Sequence, residues 1–158
     1  MTAAERTEEI AMIRSLPADL EAAVRDLNPQ QLATAYRRDG WTIRQVVHHL
    51  ADSHMNAFIR MKLVITEDHP TVKPYDQDRW AETDDVGQAD IRASLEILRG
   101  LHQRWSVLLE RLPEETWRRT AHHPERGEIS LEQFLDMYAV HGKTHVQQIT
   151  GLRKAQGW

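Results

Sequence analysis

The sequence predicts an all-α fold, a four-helix bundle with a long connection between the second and third helices. Four long stretches carry apolar residues at steps of three and four, which is the period of an amphipathic helix. The residues between these stretches are rich in Pro, Gly and Asp, which favour turns. The chain has 158 residues, of which 41% are hydrophobic, enough for one core and too few for two. We therefore expect a single domain over residues 1–158.

The first two helices are predicted from their periodicity and from the residues at their ends. The first runs from about Ala4 to Leu27 and is bent or interrupted near Pro17, because proline lacks the backbone donor of a helix interior. The second runs from Thr42 to about Thr66. Thr42 and Gln45 fit a capping box, in which each side chain accepts a hydrogen bond from the other residue's backbone N–H.

The third and fourth helices follow the same logic. The third covers about Gln88 to Leu112, with leucines recurring along one face, and Pro113 ends it. The fourth begins at Ser130, which forms a second capping box with Gln133, and continues to Gly151 or slightly beyond.

The connection from His69 to Val86 is long for a compact domain, and loops of more than about 15 residues are often functional. Tyr75 and Trp80 within it are amphipathic side chains suited to lining a pocket. They could equally pack the connection onto the bundle.

The composition excludes several classes of function. With 20 basic and 24 acidic residues, the chain lacks the basic surface that nucleic acids require. It has no Cys, so a protein thiol can be neither a metal ligand nor a nucleophile. The N-terminus shows no signal peptide, and no apolar run reaches the roughly 18 residues of a membrane span. We expect a cytoplasmic protein that binds neither membrane nor nucleic acid.

His141 and His145 are the most informative pair in the sequence. Their spacing places two imidazoles about 6 Å apart on one helix face, close enough to bind one metal ion. Both fall within the apolar arc of the fourth helix, where each could instead be a core histidine with its own hydrogen-bond partner. A catalytic zinc-type site normally needs a third protein ligand. The arc itself is defined by Phe134, Leu135, Tyr138, Ile149 and Leu152, of which Tyr138 could also line a pocket.

The second helix offers three candidates for the third ligand. His54 lies near the centre of its apolar arc, His49 on one flank and His48 on the other side. Periodicity favours His54, but a flank residue faces the groove between neighbouring helices, where ligands from two helices can meet. The pattern alone leaves this choice open. Asp52 could orient a ligand or accept a proton, or could be a solvated carboxylate.

Three separated blocks of the chain carry a family pattern: GWTIRQVVHHLADSHMNAFIRMKLVITEDHPTVKPYDQDRWAE, LHQRWSVLLERL and HGKTHVQQITGLRKAQGW. Together they resemble the YfiT branch of the DinB/YfiT-like family, whose members are small four-helix-bundle metalloproteins. That family has the pattern W-[ST]-x-x-x-V-x-x-H-L at the start of the second helix. In this chain the pattern falls on Trp41, Thr42, Val46, His49 and Leu50.

The resemblance implies a divalent metal ion, Zn²⁺ or Ni²⁺, bound by His49, His141 and His145. It also implies one of two reactions on a small-molecule substrate. In a metal-dependent hydrolase the ion activates water, whose pKa zinc can lower from 15.7 to about 7. In a bacillithiol S-transferase the ion would hold a low-molecular-weight thiol as thiolate.

The sequence does not separate these two enzymes, nor does it exclude a non-catalytic metal-binding or interaction module. Five Trp residues and several apolar faces are compatible with a homodimer. Arg60, Lys62 and Lys73 could form an anion-binding rim or an ordinary charged surface.

The other histidines are expected to have ordinary structural roles. We predict a surface position for His48 and a core position for His54, although either could support the metal ligands. His123, with its neighbour His122, lies in a polar loop and is expected to be exposed, as is His102.

Overall fold

The computed structural model describes residues 1–158 and confirms the all-α fold class. The elements are α1 (Ala3–Val24), α2 (Pro29–Leu32), α3 (Ile43–Thr66), α4 (Gln77–Trp80), α5 (Asp84–Gln88), α6 (Ile91–Glu110), a 3₁₀ helix (Glu114–Arg118), β1 (Thr120–His123), β2 (Gly127–Ser130) and α7 (Leu131–Gln156). The four long helices α1, α3, α6 and α7 form the bundle. None of the helices has both the length and the apolar character that crossing a bilayer requires.

The order of the long helices around the bundle differs from their order along the chain. Helix α1 packs against α6 and α7, and α3 packs against the same two helices. Helices α1 and α3 therefore lie diagonally opposite each other, as do α6 and α7. This arrangement makes α3 and α7 direct neighbours although 64 residues separate Thr66 from Leu131 in the chain, so side chains from both can meet.

The two predicted capping boxes are present. Thr42 Oγ1 accepts a hydrogen bond from the Gln45 backbone N–H, while Gln45 Oε1 accepts from Thr42 N–H. Ser130 and Gln133 make the equivalent pair at the start of α7. Both capping boxes fix the first turn of a helix that carries candidate ligands.

Several predicted helix boundaries are wrong by a few residues, and two of them have a clear local cause. Helix α1 ends at Val24 rather than Leu27, because Asp26 adopts a left-handed conformation with φ of 62°. It continues through Pro17, and Leu16 before it and Leu20 one turn after it are buried in the core. Helix α6 begins at Ile91 rather than Gln88, because the side chain of Asp90 caps it.

A small antiparallel hairpin, β1–β2, precedes α7 and is not predicted by the sequence pattern. Its register pairs Thr120 with Ser130 and His123 with Gly127. The strands have only four residues each, the shortest run in which an alternating pattern can be recognised. Ala121 and Ile129 are buried in the core, so the hairpin fixes the position where α7 starts.

The apolar core has two parts with a layer of histidines between them. On α3 one part includes Ala57 and the other Ala51. On α6 the two parts similarly include Trp105 and Leu98. Buried histidines lie at the intervening positions of both helices, namely His54 and His102. The candidate site is therefore built into the interior of the bundle.

Candidate metal centre

Three histidines from two neighbouring helices converge in the structure. His49 lies on α3, and His141 and His145 lie one turn apart on α7. The Nε2 atoms of His49 and His145 are each 3.1 Å from Nε2 of His141. One ligand nitrogen from each residue lies within 4.8 Å of the other two. The flank position of His49 thus brings it to the α7 pair.

Burial keeps these imidazoles neutral. His49 is 4% exposed, whereas His141 and His145 are half-buried. Burial, followed by the positive charge that neighbouring histidines would carry, lowers the pKa of His49 and of His141 to about 3. Burial also lowers the pKa of His145. Each ring therefore has one nitrogen lone pair available at neutral pH.

The orientation of His145 is set by two contacts. Its Nδ1 lies 2.8 Å from Gln148 Oε1, and because an amide oxygen only accepts, Nδ1 carries the proton. Its Nε2 then presents a lone pair to the centre of the cluster. Trp41 stacks on the same ring with an interplanar angle of 12°, and its ring centroid lies 4.5 Å from that of His49.

This donor set fits a divalent metal ion. Around a tetrahedral ion with metal–nitrogen distances of about 2.0–2.1 Å, ligand nitrogens are separated by about 3.3 Å. The two Nε2 separations of 3.1 Å lie close to that value. Imidazole nitrogens suit zinc, nickel, copper and iron alike, so the donor set does not select among these ions.

A cavity of about 380 Å³ adjoins His141. Tyr75 and Tyr138 line it, as the sequence suggested, and so does Arg60, the only one of the three suggested basic residues to do so. The buried guanidinium of Arg60 donates to Tyr138 Oη at 2.9 Å and to the carbonyl of Lys73. A larger groove of about 770 Å³ between α1 and α7 is lined by no histidine. The smaller cavity is therefore the one beside the metal centre.

Two other residues suggested for the pocket belong neither to the histidine cluster nor to the lining of the cavity. Asp52 is half-buried on α3 and lies outside the cluster. Burial and the nearby charge of Asp85 raise the pKa of Asp52 to about 6. Trp80 is 41% exposed and packs against Tyr75, 4.6 Å between ring centroids, without lining the cavity. Its contact supports Tyr75 from outside.

The remaining histidines correct three sequence predictions. His48, His102 and His123, expected at the surface, are all buried. His48 faces Ser94 of α6 with Nδ1 2.8 Å from the hydroxyl oxygen. A tertiary neighbour of this kind cannot be inferred from the periodicity of a single helix. His54 is fully buried, as expected, with Nε2 3.2 Å from Nδ1 of His141.

Sequence reasoning also missed the contacts of two residues beside the centre. Trp41 entered only as part of a family pattern, which does not reveal its packing on the rings of His49 and His145. Gln148 lies three residues after His145, a spacing at which helical side chains meet, so its contact could have been found from the sequence.

Comparison with known proteins identifies the family. The family model of the DinB superfamily matches residues 12–149 of this chain. A protein of Geobacillus kaustophilus named "putative metal-dependent hydrolase" is 51% identical over 158 residues, covering 99% of this chain and 88% of its own length. A protein of Oceanobacillus iheyensis with the same descriptive name is 50% identical over 151 residues, covering 96% of this chain and 87% of its own.

Solved structures agree with the sequence matches. YfiT from Bacillus subtilis, described as a probable metal-dependent hydrolase with an unusual four-helix bundle topology, superimposes with a TM-score of 0.97 at 42% identity, covering 100% of this chain and 91% of that one. A mycothiol-dependent maleylpyruvate isomerase shares the fold, with a TM-score of 0.72 at 15% identity over 94% of this chain and 63% of that one. The chain belongs to the DinB/YfiT-like family of four-helix-bundle proteins.

Proposed function

We propose that the protein is a metal-dependent hydrolase in which His49, His141 and His145 hold a divalent ion, Zn²⁺ or Ni²⁺, that activates water against a small-molecule substrate. The convergence of three neutral ring nitrogens carries this proposal. The names of the similar Geobacillus and Oceanobacillus proteins support it.

The three ligands are uncharged, so an ion held by them keeps its full positive charge. Such an ion supplies Lewis acidity, which lowers the pKa of bound water. The rest of the chemistry depends on the chain itself. Gln148 and Trp41 hold the His145 ring in place, and supporting contacts of this kind typically change metal affinity or activity by about 10–100-fold.

The substrate of this proposal occupies the cavity beside His141. A volume of about 380 Å³ lies within the usual range for small-molecule sites. Its lining presents the Tyr75 and Tyr138 rings together with the Arg60 guanidinium. These groups would orient a small substrate that has an apolar part and a hydrogen-bonding or anionic part.

A thiol S-transferase is the second candidate. The absence of Cys means that the thiol would come from a co-substrate such as bacillithiol, and the chain shares its fold with a mycothiol-dependent enzyme. A metal ion lowers the pKa of a bound thiol by the same physics as that of water. The third candidate is a metal-binding module without catalytic activity.

One set of assays separates the three candidates. Protein stripped with a chelator and reloaded with Zn²⁺ or Ni²⁺ is incubated with a panel of chromogenic esters and amides, and separately with bacillithiol and a bimane electrophile. We expect hydrolysis that requires the metal, is lost in His145→Ala and is retained in the surface control His122→Ala. Metal-dependent thiol conjugation without hydrolysis would instead favour the transferase. Metal-loaded protein inactive in both assays would contradict the hydrolase and favour the module.

A further inference from the structure

A row of three histidines connects the metal centre to the opposite side of the bundle. Nδ1 of His141 on α7 lies 3.2 Å from Nε2 of His54 on α3. Nδ1 of His54 lies 3.0 Å from Nε2 of His102 on α6. Nδ1 of His102 is in hydrogen-bond contact with the backbone carbonyl of Ile13 on α1. His54 and His102 are 0% and 1% exposed, so water does not compete for these contacts.

The carbonyl at the end of the row fixes the direction of every hydrogen bond in it. A carbonyl oxygen only accepts, so Nδ1 of His102 must carry the proton. In a neutral ring Nε2 of His102 is then an acceptor, and it accepts a hydrogen bond from Nδ1–H of His54. By the same argument Nε2 of His54 accepts from Nδ1–H of His141. Nε2 of His141 is left with a lone pair directed at His49 and His145.

Burial of the three rings in the bundle favours the neutral state that this direction requires. Burial lowers the pKa of His102 to about 4 and that of His141 to about 3. The pKa of fully buried His54 is shifted well below its usual value by the same cause. Each ring in the row therefore fixes which nitrogen of the next ring carries the proton, and no ring has to ionise.

The consequence at the metal centre is a pair of facing lone pairs. Gln148 directs the Nε2 lone pair of His145 inward, and the row directs that of His141 to the same point, 3.1 Å away. Two acceptors at this distance repel each other, and a cation bound to both removes that repulsion. A histidine that binds a metal ion through one ring nitrogen usually donates the N–H of its other ring nitrogen to a carboxylate, a carbonyl or water. Here the carbonyl acts through two further imidazoles.

We propose that His54 and His102 are positioning residues that hold His141 in the Nδ1–H tautomer, with Ile13 O as the anchor, so that its Nε2 is ready to bind metal. This inference rests on the proposed metal centre. It assigns a role to His54 and His102, which belong neither to the three-histidine cluster nor to the lining of the cavity beside it.

The first test reads the tautomers directly in the metal-free protein. Long-range ¹H–¹⁵N correlation spectra of labelled protein at about pH 8, where free histidine is neutral, distinguish a protonated ring nitrogen from a bare one. We expect His141, His54 and His102 all to carry the proton on Nδ1. A proton on Nε2 of His141 or of His54 would overturn the proposal, whatever the metal affinity is.

The second test compares His102→Leu with His102→Gln. Leucine removes the acceptor for His54, whereas the Gln amide offers one acceptor and one donor in place of the two ring nitrogens. Zn²⁺ affinity is measured by competition with a chromophoric chelator. We expect His102→Leu to lose at least about tenfold in affinity and to show mixed tautomers at His141, and His102→Gln to retain affinity within about threefold.

Leu98→Ala, a buried substitution one turn away on α6, controls for general loss of stability. Equal losses of affinity in His102→Leu, His102→Gln and Leu98→Ala would show a packing role and overturn the proposal. Unchanged affinity in His102→Leu would also overturn it. Wild-type protein that binds no Zn²⁺ would contradict the metal centre itself, an outcome distinct from a wrong tautomer in protein that does bind.

Discussion

At the scale of single residues, Tyr138 connects the cavity to a buried positive charge. Its hydroxyl oxygen accepts a hydrogen bond from Arg60, and its ring packs edge-on against His141 with centroids 6.0 Å apart. Arg60 is only 7% exposed, so its guanidinium depends on the protein for hydrogen bonds. The tyrosine therefore stabilises the cavity wall as well as forming it.

Replacing Tyr138 by Phe should destabilise the fold because it leaves a charged, buried donor without its acceptor. We expect the free energy of unfolding to fall by about 1–3 kcal/mol in urea titrations. Tyr36→Phe is the matched control, since Tyr36 is partly exposed beside Arg37, and should change stability by less than about 0.5 kcal/mol. Equal effects of the two substitutions would contradict a role for the Arg60 hydrogen bond.

Single residues also show where sequence reasoning reaches its limit. The spacing of His141 and His145 predicts that both lie on one face, and the apolar arc around them predicts that this face points inward, because both patterns depend on one helix alone. The choice of His49 over His54 needed the family pattern, because both lie within reach of a bundle groove. His102 could not be predicted at all, because its partners His54 and Ile13 come from two other helices.

At the scale of elements, the α1–α7 contact positions the two histidines of α7. Gly142, directly after His141, faces Leu16 of α1 so closely that an added Cβ would lie 2.6 Å from a Leu16 methyl group. The absence of a side chain at Gly142 lets the two helices approach. Gly151, later in the same helix, has open space around it.

Alanine substitutions at these two glycines should change the stability of the protein by different amounts or in opposite directions. Ala favours a helix interior by about 1 kcal/mol over Gly, so Gly151→Ala should stabilise the protein by up to that amount. Gly142→Ala gains the same propensity but must displace Leu16, and overpacking typically costs about 1–3 kcal/mol. We expect Gly142→Ala to be less stable than Gly151→Ala by at least about 1 kcal/mol in thermal or urea unfolding. Equal gains in both variants would contradict the close packing.

Elements with strong local signals were predictable, and those fixed by tertiary contacts were not. The starts of α3 and α7 follow from capping boxes that need only four consecutive residues. The β1–β2 hairpin is held by burial of Ala121 and Ile129 and by a bridge from Thr71 to His122. Contacts so distant in sequence leave no local pattern.

At the scale of the whole molecule, a layer of histidines replaces apolar side chains in the middle of the bundle. His49, His54 and His102 are all buried there, and the apolar core lies on either side of them. Such a layer is compatible with a stable fold only while the rings stay neutral and hydrogen-bonded. Protonation of these buried rings should therefore lower the stability of the folded state.

Acid should destabilise the metal-free protein at a pH where most folded proteins are still stable. The pKa of His49 is lowered to about 3 and that of His102 to about 4 by burial, whereas in the unfolded chain both are near 6.5. Stability from a lowered histidine pKa is complete above the unfolded value and decreases as the pH falls, because only the unfolded state takes up protons.

Each of these two histidines should lower the free energy of unfolding by about 2 kcal/mol when the pH falls from neutral to about 5. Urea titrations of chelator-treated protein between about pH 7.5 and 5 measure this loss, and His102→Gln should lose about 2 kcal/mol less over the same interval. A flat profile for the wild type over that range would contradict a neutral histidine layer.

The central claim, that His49, His141 and His145 form one metal site, is tested most directly by elemental analysis of the purified protein. We predict a single divalent ion for each wild-type chain and for the surface control His122→Ala, and a stoichiometry close to zero for His145→Ala. Removing one of three ligands leaves only two, and a zinc-type site normally has at least three from the protein. Equal metal content in wild type and His145→Ala would contradict the three-histidine site.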